Sequence, residues 1–157
     1  MPAWGGDAAF AALIDARRGE LLRVALFITG HRADAEDAVQ DAIVSAARNW
    51  SGVSATAGYA YVRTAVVRKA LDGRRRPGHV ELVDEPFEEP GFLRFEEDRR
   101  FFARLQTLPA QQRAVLALRF YNGLDTRTIA RILEIGPSAV RSHLTRGLAA
   151  LLSLIHI

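Results

Sequence analysis

The stretch that decides the fold runs from Leu124 to Leu148 and has the sequence LDTRTIARILEIGPSAVRSHLTRGL. Apolar residues recur at helical spacing up to Leu133, the segment 134–137 interrupts the pattern, and a second helical pattern begins at Ser138. Two helices joined by a short glycine-containing turn, the second with a basic and hydroxyl-bearing face, are typical of a helix-turn-helix DNA-binding unit.

The second of these helices has two distinct faces. Its apolar stripe consists of Val140, Leu144, Leu148 and Leu151. The polar arc consists of Ser138, Ser142, Thr145 and Arg146, with Arg141 at its edge. Arginine in the major groove can pair with a guanine edge, and hydroxyls can reach bases or phosphates. The alternative is an ordinary surface helix whose arginines are solvated.

Four further arginines of the C-terminal part are predicted to contact phosphates rather than bases. They are Arg113, Arg119, Arg127 and Arg131. Residues 99–157 carry nine Arg against Asp125 and Glu134, whereas residues 81–98 carry Arg94 against eight acidic residues. A cationic module behind an acidic segment favours binding of a polyanion by the module and repulsion of polyanions by the segment.

Composition excludes several classes of protein. Apolar residues make up 49% of the 157 residues and charged residues 25%, which predicts a globular chain. The absence of cysteine excludes disulfides, thiolate metal sites and cysteine nucleophiles. No apolar run reaches about 18 residues and no secretory signal is evident, so we expect a cytoplasmic protein without membrane insertion. The four histidines are scattered and no nucleotide fingerprint occurs, so we expect no metal and no cofactor.

The periodicity predicts an all-α fold of two small helical bundles. Helices are expected over 7–29, 33–50 and 57–75 in the first bundle, and Gly30 is the stop signal of the first helix. In the second bundle we expect a helix from Pro109 to Tyr121, and Asp125 is placed to cap the next one. The predicted domains are residues 1–76 and 92–157, joined by a proline-containing acidic linker at 77–91.

The second predicted helix carries an acidic cluster. Asp34, Asp37 and Asp41 lie within about 60° of each other around the helix axis. Acids near a helix N-terminus are stabilising, which accounts for Asp34 and Asp37 but not for Asp41. Two other interpretations remain open: a metal or acid–base site, and an acidic face for a basic protein partner.

The third predicted helix interleaves aromatic and cationic residues. They are Tyr59, Tyr61, Arg63, Arg68 and Lys69, with Trp50 just upstream. Bases of single-stranded DNA stack on aromatic rings while cations follow the backbone, so the pattern favours single-strand binding. The alternative is that the aromatic rings belong to the core of a small bundle.

The order of these features resembles the sigma-70 family, specifically the extracytoplasmic-function (ECF) sigma factors of bacterial RNA polymerase. ADAEDAVQDA at 33–42 is similar to that family's region 2 signature. LPAQQRAVLALRF at 108–120 resembles the start of region 4, and Ile129-Ala130 with Val140 to Leu144 resembles its helix-turn-helix. The resemblance covers about residues 8–152.

The resemblance implies a role for each group of residues. Asp37, Gln40 and Asp41 would contact core RNA polymerase. The stretch from Trp50 to Arg76, with the aromatic and cationic residues named above, would melt and hold the minus-ten element of promoter DNA. The final helix, together with Arg127, would bind the minus-thirty-five element as a duplex. The family also implies an anti-sigma factor as a partner and no catalytic activity.

Two rival functions remain open from the sequence. A stand-alone helix-turn-helix regulator would bind a palindromic operator as a dimer without polymerase. A nucleic-acid-processing enzyme would show metal-dependent turnover that is lost when Asp37 and Asp41 become Asn.

Overall fold

The structure is a computed structural model that describes residues 7–48, 55–73 and 96–155. These residues form seven α-helices and no strand, which confirms the all-α prediction. The helices are α1 (Asp7–Thr29), α2 (Arg32–Arg48), α3 (Ala55–Gly73), α4 (Glu96–Leu105), α5 (Ala110–Leu116), α6 (Thr126–Leu133) and α7 (Pro137–Ile155), and α5 continues as a π-helical turn over Ala117–Tyr121. Among these helices, none combines the length and the apolar content that a bilayer crossing requires.

Local signals in the sequence explain several helix ends. Gly30 follows α1 with φ +77°, a left-handed conformation that glycine adopts without strain. Asp125 caps α6 as predicted, because its carboxylate accepts a hydrogen bond of 2.7 Å from the Thr128 amide. Hydrogen bonds from the side chain and the backbone amide of Thr128 lower the pKa of Asp125. In the turn before α7 the left-handed residue is Glu134, with φ 57°, rather than Gly136.

The first module consists of α1, α2 and α3, which pack as a three-helix bundle. Its core is built from aliphatic and small side chains, including Leu21, Val24, Ala42, Val62 and Val66, each no more than 1% exposed. Because α2 contributes alanine at several core positions, it lies close to its two neighbours and its larger polar side chains are left at the surface.

The second module places the helix-turn-helix pair α6 and α7 against α5. Val140 and Leu151 of α7 are buried and Leu144 and Leu148 are partly buried, which confirms the predicted apolar stripe. Gly147 lets α7 approach α5 closely, since a Cβ atom there would lie 2.9 Å from Leu116 Cδ1.

The two modules pack directly on one another. The ring of Phe27, at the end of α1, lies 5.6 Å from the ring of Phe102 and 5.2 Å from that of Tyr121, measured between centroids. The buried residues of both modules belong to one hydrophobic cluster. The linker expected at 77–91 lies outside the described residues.

Arg113 ties the modules together through the end of α1. It is 0% exposed. Its Nε and Nη2 donate to the Ile28 carbonyl at 3.1 and 2.6 Å, and its Nη1 donates to the carbonyls of Leu108 at 2.8 Å and Gln106 at 3.2 Å. The last carbonyls of a helix lack intrahelical donors, and Arg113 satisfies one of them at α1. The prediction that Arg113 contacts phosphate is therefore wrong for this packed structure.

Candidate protein and nucleic-acid interfaces

The exposed face of α2 brings together the three residues that the resemblance assigns to polymerase contact. Asp37, Gln40 and Asp41 are all exposed, whereas Val39 and Ala42 on the opposite side are buried. Val44 continues the same face one turn later and is 40% exposed. Four side chains at three- and four-residue spacing thus form one continuous surface, which we call the α2 face.

The acidic residues of α2 differ in whether they pair with other residues of the chain. Glu36 pairs with Arg32 one turn earlier at 2.9 Å. Asp37 and Asp41 make no ion pair within the described part of the chain. Gln40 accepts a long hydrogen bond of 3.4 Å from Arg18 of α1. The two aspartates therefore remain available to a partner, which favours the protein-binding interpretation of this face.

The two tyrosines of α3 have different surroundings. Tyr59 is 5% exposed, and its hydroxyl donates to Glu20 at 3.0 Å. Burial and this hydrogen bond raise the pKa of Tyr59. The guanidinium of Arg17 covers its ring at 4.0 Å from the centroid, so Tyr59 fits the core alternative in this conformation. Tyr61 is 48% exposed and offers a ring for stacking. Trp50 lies outside the described residues.

The predicted cations of α3 border a cleft between the modules. Arg63, Arg68 and Lys69 line a cavity of about 630 Å³ together with Tyr61 and with Arg131 of α6. Arg68 donates to the carbonyls of Ile132 at 3.0 Å and Arg131 at 3.3 Å. It also pairs with Glu134 at 3.2 Å. Arg68 therefore caps the C-terminal end of α6, which sequence analysis did not predict.

The polar arc of α7 faces solvent. Ser138, Arg141, Thr145 and Arg146 are exposed and Ser142 is partly exposed. Arg127, near the start of α6, is exposed as well. These six residues keep their hydroxyl and guanidinium groups accessible, as insertion into a DNA groove requires.

Both modules match families of known proteins. The sigma-70 region 2 family matches residues 13–79, and the sigma-70 region 4 family matches residues 98–151. The chain is 31% identical over 150 residues to the ECF RNA polymerase sigma factor SigL of Mycobacterium tuberculosis, and the match covers 89% of this chain and 85% of SigL.

A solved structure shares the fold. The sigma factor RpoE of Bartonella quintana, crystallised with the anti-sigma factor NepR, superposes with a TM-score of 0.66 at 16% identity and covers 99% of both chains. The match to SigL over nearly the whole chain disfavours a stand-alone dimeric regulator. With both sigma-70 regions present in the expected order, the chain belongs to the ECF sigma factors of the sigma-70 family, which direct RNA polymerase to promoters in transcription initiation.

Proposed function

We propose that this sigma factor binds core RNA polymerase through the α2 face, with Asp37, Gln40 and Asp41 as its polar contacts and Val44 as an apolar one. The observation that carries the proposal is that Asp37 and Asp41 are exposed and make no ion pair within the described part of the chain, whereas Glu36 of the same helix is paired with Arg32. The test is co-elution of the purified chain with core polymerase on a sizing column. Absence of co-elution at low salt by folded protein would contradict the proposal.

For the promoter, we propose two separate surfaces. Tyr61, Arg63, Arg68 and Lys69 of α3 hold the separated minus-ten strand, because an exposed ring beside three cations suits stacked bases and phosphates. Trp50 and Tyr59 belong to this predicted set, and Tyr59 would have to leave its buried position to stack on a base. Arg127, Ser138, Arg141, Ser142, Thr145 and Arg146 bind the minus-thirty-five element.

Arg141→Ala is expected to weaken recognition of the upstream promoter element by about 1–3 kcal/mol, because a guanidinium that pairs bidentately with guanine is lost. Binding of polymerase holoenzyme to promoter fragments with and without the native upstream element measures this loss. Arg104→Ala, which removes an arginine from α4 outside the polar arc, is the control and should bind like the wild type. An equal loss on all DNA sequences would instead make Arg141 a phosphate contact.

The packed arrangement conflicts with promoter binding at Arg68. This side chain cannot cap α6 and hold a DNA strand at the same time. We therefore propose that the packed modules are the resting arrangement of the free chain and that they separate when polymerase and promoter bind.

Fluorescence transfer between the modules tests this separation. The chain has no cysteine, so Ala12→Cys in α1 and Ala149→Cys in α7, both at exposed positions, allow specific labelling. Transfer efficiency is expected to fall when core polymerase is added. Core polymerase added to a variant that does not bind polymerase should leave the transfer efficiency unchanged. Unchanged transfer in the wild type on a confirmed complex would contradict the proposed opening.

The functional units are residues 1–76 and 92–157 with an acidic linker at 77–91, which the two family matches support by leaving residues 80–97 outside both. The chain acts in the cytoplasm and catalyses no reaction itself. A protein inhibitor of the anti-sigma class is a further expected partner, by analogy with the Bartonella protein that shares the fold.

A further inference from the structure

Glu134, the residue that ends α6, occupies a position where local physical chemistry disfavours a glutamate. Its φ of 57° is left-handed, and it is the one residue other than glycine with a positive φ in the described part of the chain. A carboxylate at the C-terminal end of a helix also meets the negative end of the helix dipole. In a DNA-binding module, an acid further repels the phosphates that the module must approach. A contact outside α6 that offsets these costs is therefore expected.

The offsetting contact comes from the other module. The Glu134 carboxylate pairs with Nη2 of Arg68 in α3 at 3.2 Å, and this side chain makes no other hydrogen bond or ion pair in the described part of the chain. Arg68 also donates to the last carbonyls of α6, from Nε to Ile132 at 3.0 Å and from Nη2 to Arg131 at 3.3 Å. The carboxylate and the helix end thus hold one guanidinium group between them.

The other acid of residues 99–157 has a role inside its own module. Asp125 lies at the N-terminal end of α6, where a carboxylate is favoured, and it accepts the amide of Thr128 at 2.7 Å. Glu134 lies at the opposite end of the same helix, and its carboxylate accepts no hydrogen bond from the described residues of its own module. The role of Glu134 therefore lies in the contact between the modules.

This contact affects the two proposed promoter surfaces differently. The minus-ten surface, by which we mean Tyr61, Arg63, Arg68 and Lys69, belongs to the α3 wall of the cleft, and α6 forms the opposite wall. The Nε and Nη2 groups of Arg68 are already engaged there. The polar arc of α7, in contrast, faces solvent in the same packed structure. Packing thus obstructs the minus-ten surface and leaves the minus-thirty-five surface open.

We propose that Glu134 inhibits the free chain from within. It holds Arg68 against the end of α6 and so keeps the modules packed over the minus-ten surface. A DNA phosphate can replace the carboxylate, because both are oxyanions that accept hydrogen bonds from the same guanidinium group. The inhibition therefore ends when a DNA strand takes Arg68. This inference deepens the proposed function, since it rests on the minus-ten surface and on the separation of the modules.

The exposure of the contact sets the size of the effect. The side chains of Arg68 and Glu134 are 45% and 72% exposed. An ion pair at such exposure changes an equilibrium constant by at most about fivefold. A contact of this strength favours the packed arrangement in the free chain, and a polyanion can still displace it.

The test measures binding of the free chain to a fluorescent single-stranded DNA of mixed sequence, about 12 nucleotides long, by fluorescence anisotropy. Glu134→Asn removes the carboxylate, and asparagine tolerates a left-handed backbone. Its affinity for the single strand is expected to rise about two- to fivefold, because Arg68 is released. Circular dichroism of each variant establishes that it is folded.

Two further variants separate the release of Arg68 from a general effect of charge. Glu36→Gln removes one negative charge from α2, away from the cleft, and should raise the affinity less than Glu134→Asn does. Introduced into an Arg68→Gln background, Glu134→Asn should give no more gain than Glu36→Gln gives there. A full gain in that background, or an equal gain from Glu36→Gln in the wild type, would overturn the proposal.

The doubly labelled chain reports on the packing itself. Glu134→Asn should lower the transfer efficiency between the modules in the free chain, and unchanged transfer together with unchanged single-strand affinity would overturn the proposal. Lower transfer without a gain in affinity would overturn the minus-ten surface and with it the inhibition, while Glu134 would remain a contact between the modules. Both assays omit polymerase, so a failure of the polymerase proposal is recognised separately, by absence of co-elution.

Discussion

Arg113→Met is expected to lower the free energy of unfolding by about 3–5 kcal/mol, because three carbonyls lose a buried donor and each buried acceptor left without one costs about 1–3 kcal/mol. Methionine keeps the length and apolar volume of the side chain and suits a helix, so neither a large cavity nor poor propensity contributes. The four donated hydrogen bonds are lost instead.

The cost of Arg113→Met falls on both modules. The carbonyl of Ile28 loses both guanidinium donors at the end of α1, where no amide follows to replace them. The carbonyls of Gln106 and Leu108 lose the donor that orders the turn between α4 and α5. A buried acceptor without a donor retains its full desolvation penalty, which is why the effect exceeds that of an ordinary hydrogen bond.

Urea denaturation followed by circular dichroism measures the effect on stability. Arg127→Met is the matched control, since it removes an exposed arginine from the same module and should change stability by less than about 0.5 kcal/mol. The loss of stability in Arg113→Lys should fall between the losses in Arg113→Met and Arg127→Met. An ammonium keeps the charge but cannot reach three carbonyls in the geometry of a guanidinium. A loss below 1 kcal/mol for Arg113→Met, well under the expected range, would contradict the bridging role.

The role of Arg113 could not be predicted from the sequence, unlike several other features of the fold. Helical periodicity predicted the ends of α1 and the buried stripe of α7, because both depend on residues that are close in sequence. The main partner of Arg113 is Ile28, 85 positions away, and no spacing rule connects them. One signal was present: Arg113 occupies the same helical face as Leu116 and Ala117, both buried, where a solvated cation is unexpected.

Which of the two tyrosines of α3 is buried could not be predicted from the sequence either. Tyr59 and Tyr61 are two positions apart, so helical geometry places them on different faces, but composition alone cannot say which face packs on α1. Only the contact with Glu20 and Arg17 decides that Tyr59 is the buried one.

The π-helical turn at Ala117–Tyr121 was missed for a similar reason, because tertiary packing rather than local propensity sets such turns.

Asp41→Arg is expected to weaken the affinity for core RNA polymerase by about 100-fold or more, which corresponds to about 2.7 kcal/mol. The exposed aspartate makes no ion pair within the described part of the chain, so the fold loses nothing that the substitution must replace. A partner surface complementary to Asp37 and Asp41 is basic, and an arginine placed against it adds like-charge repulsion to the lost attraction. Titration of labelled chain with core polymerase, read by fluorescence anisotropy, gives the affinity.

Glu36→Arg is the control for Asp41→Arg, because it makes the same change of charge on the same helix. Glu36 lies about a quarter turn from the centre of the α2 face, beside Gln40, and it pairs with Arg32 one turn earlier. Its reversal should weaken the affinity for polymerase far less than the Asp41 substitution does. If both variants lose affinity equally, the net charge of the module attracts polymerase and the α2 face is not a specific docking surface. A selective loss in Asp41→Arg, with unchanged thermal stability, assigns polymerase binding to the α2 face.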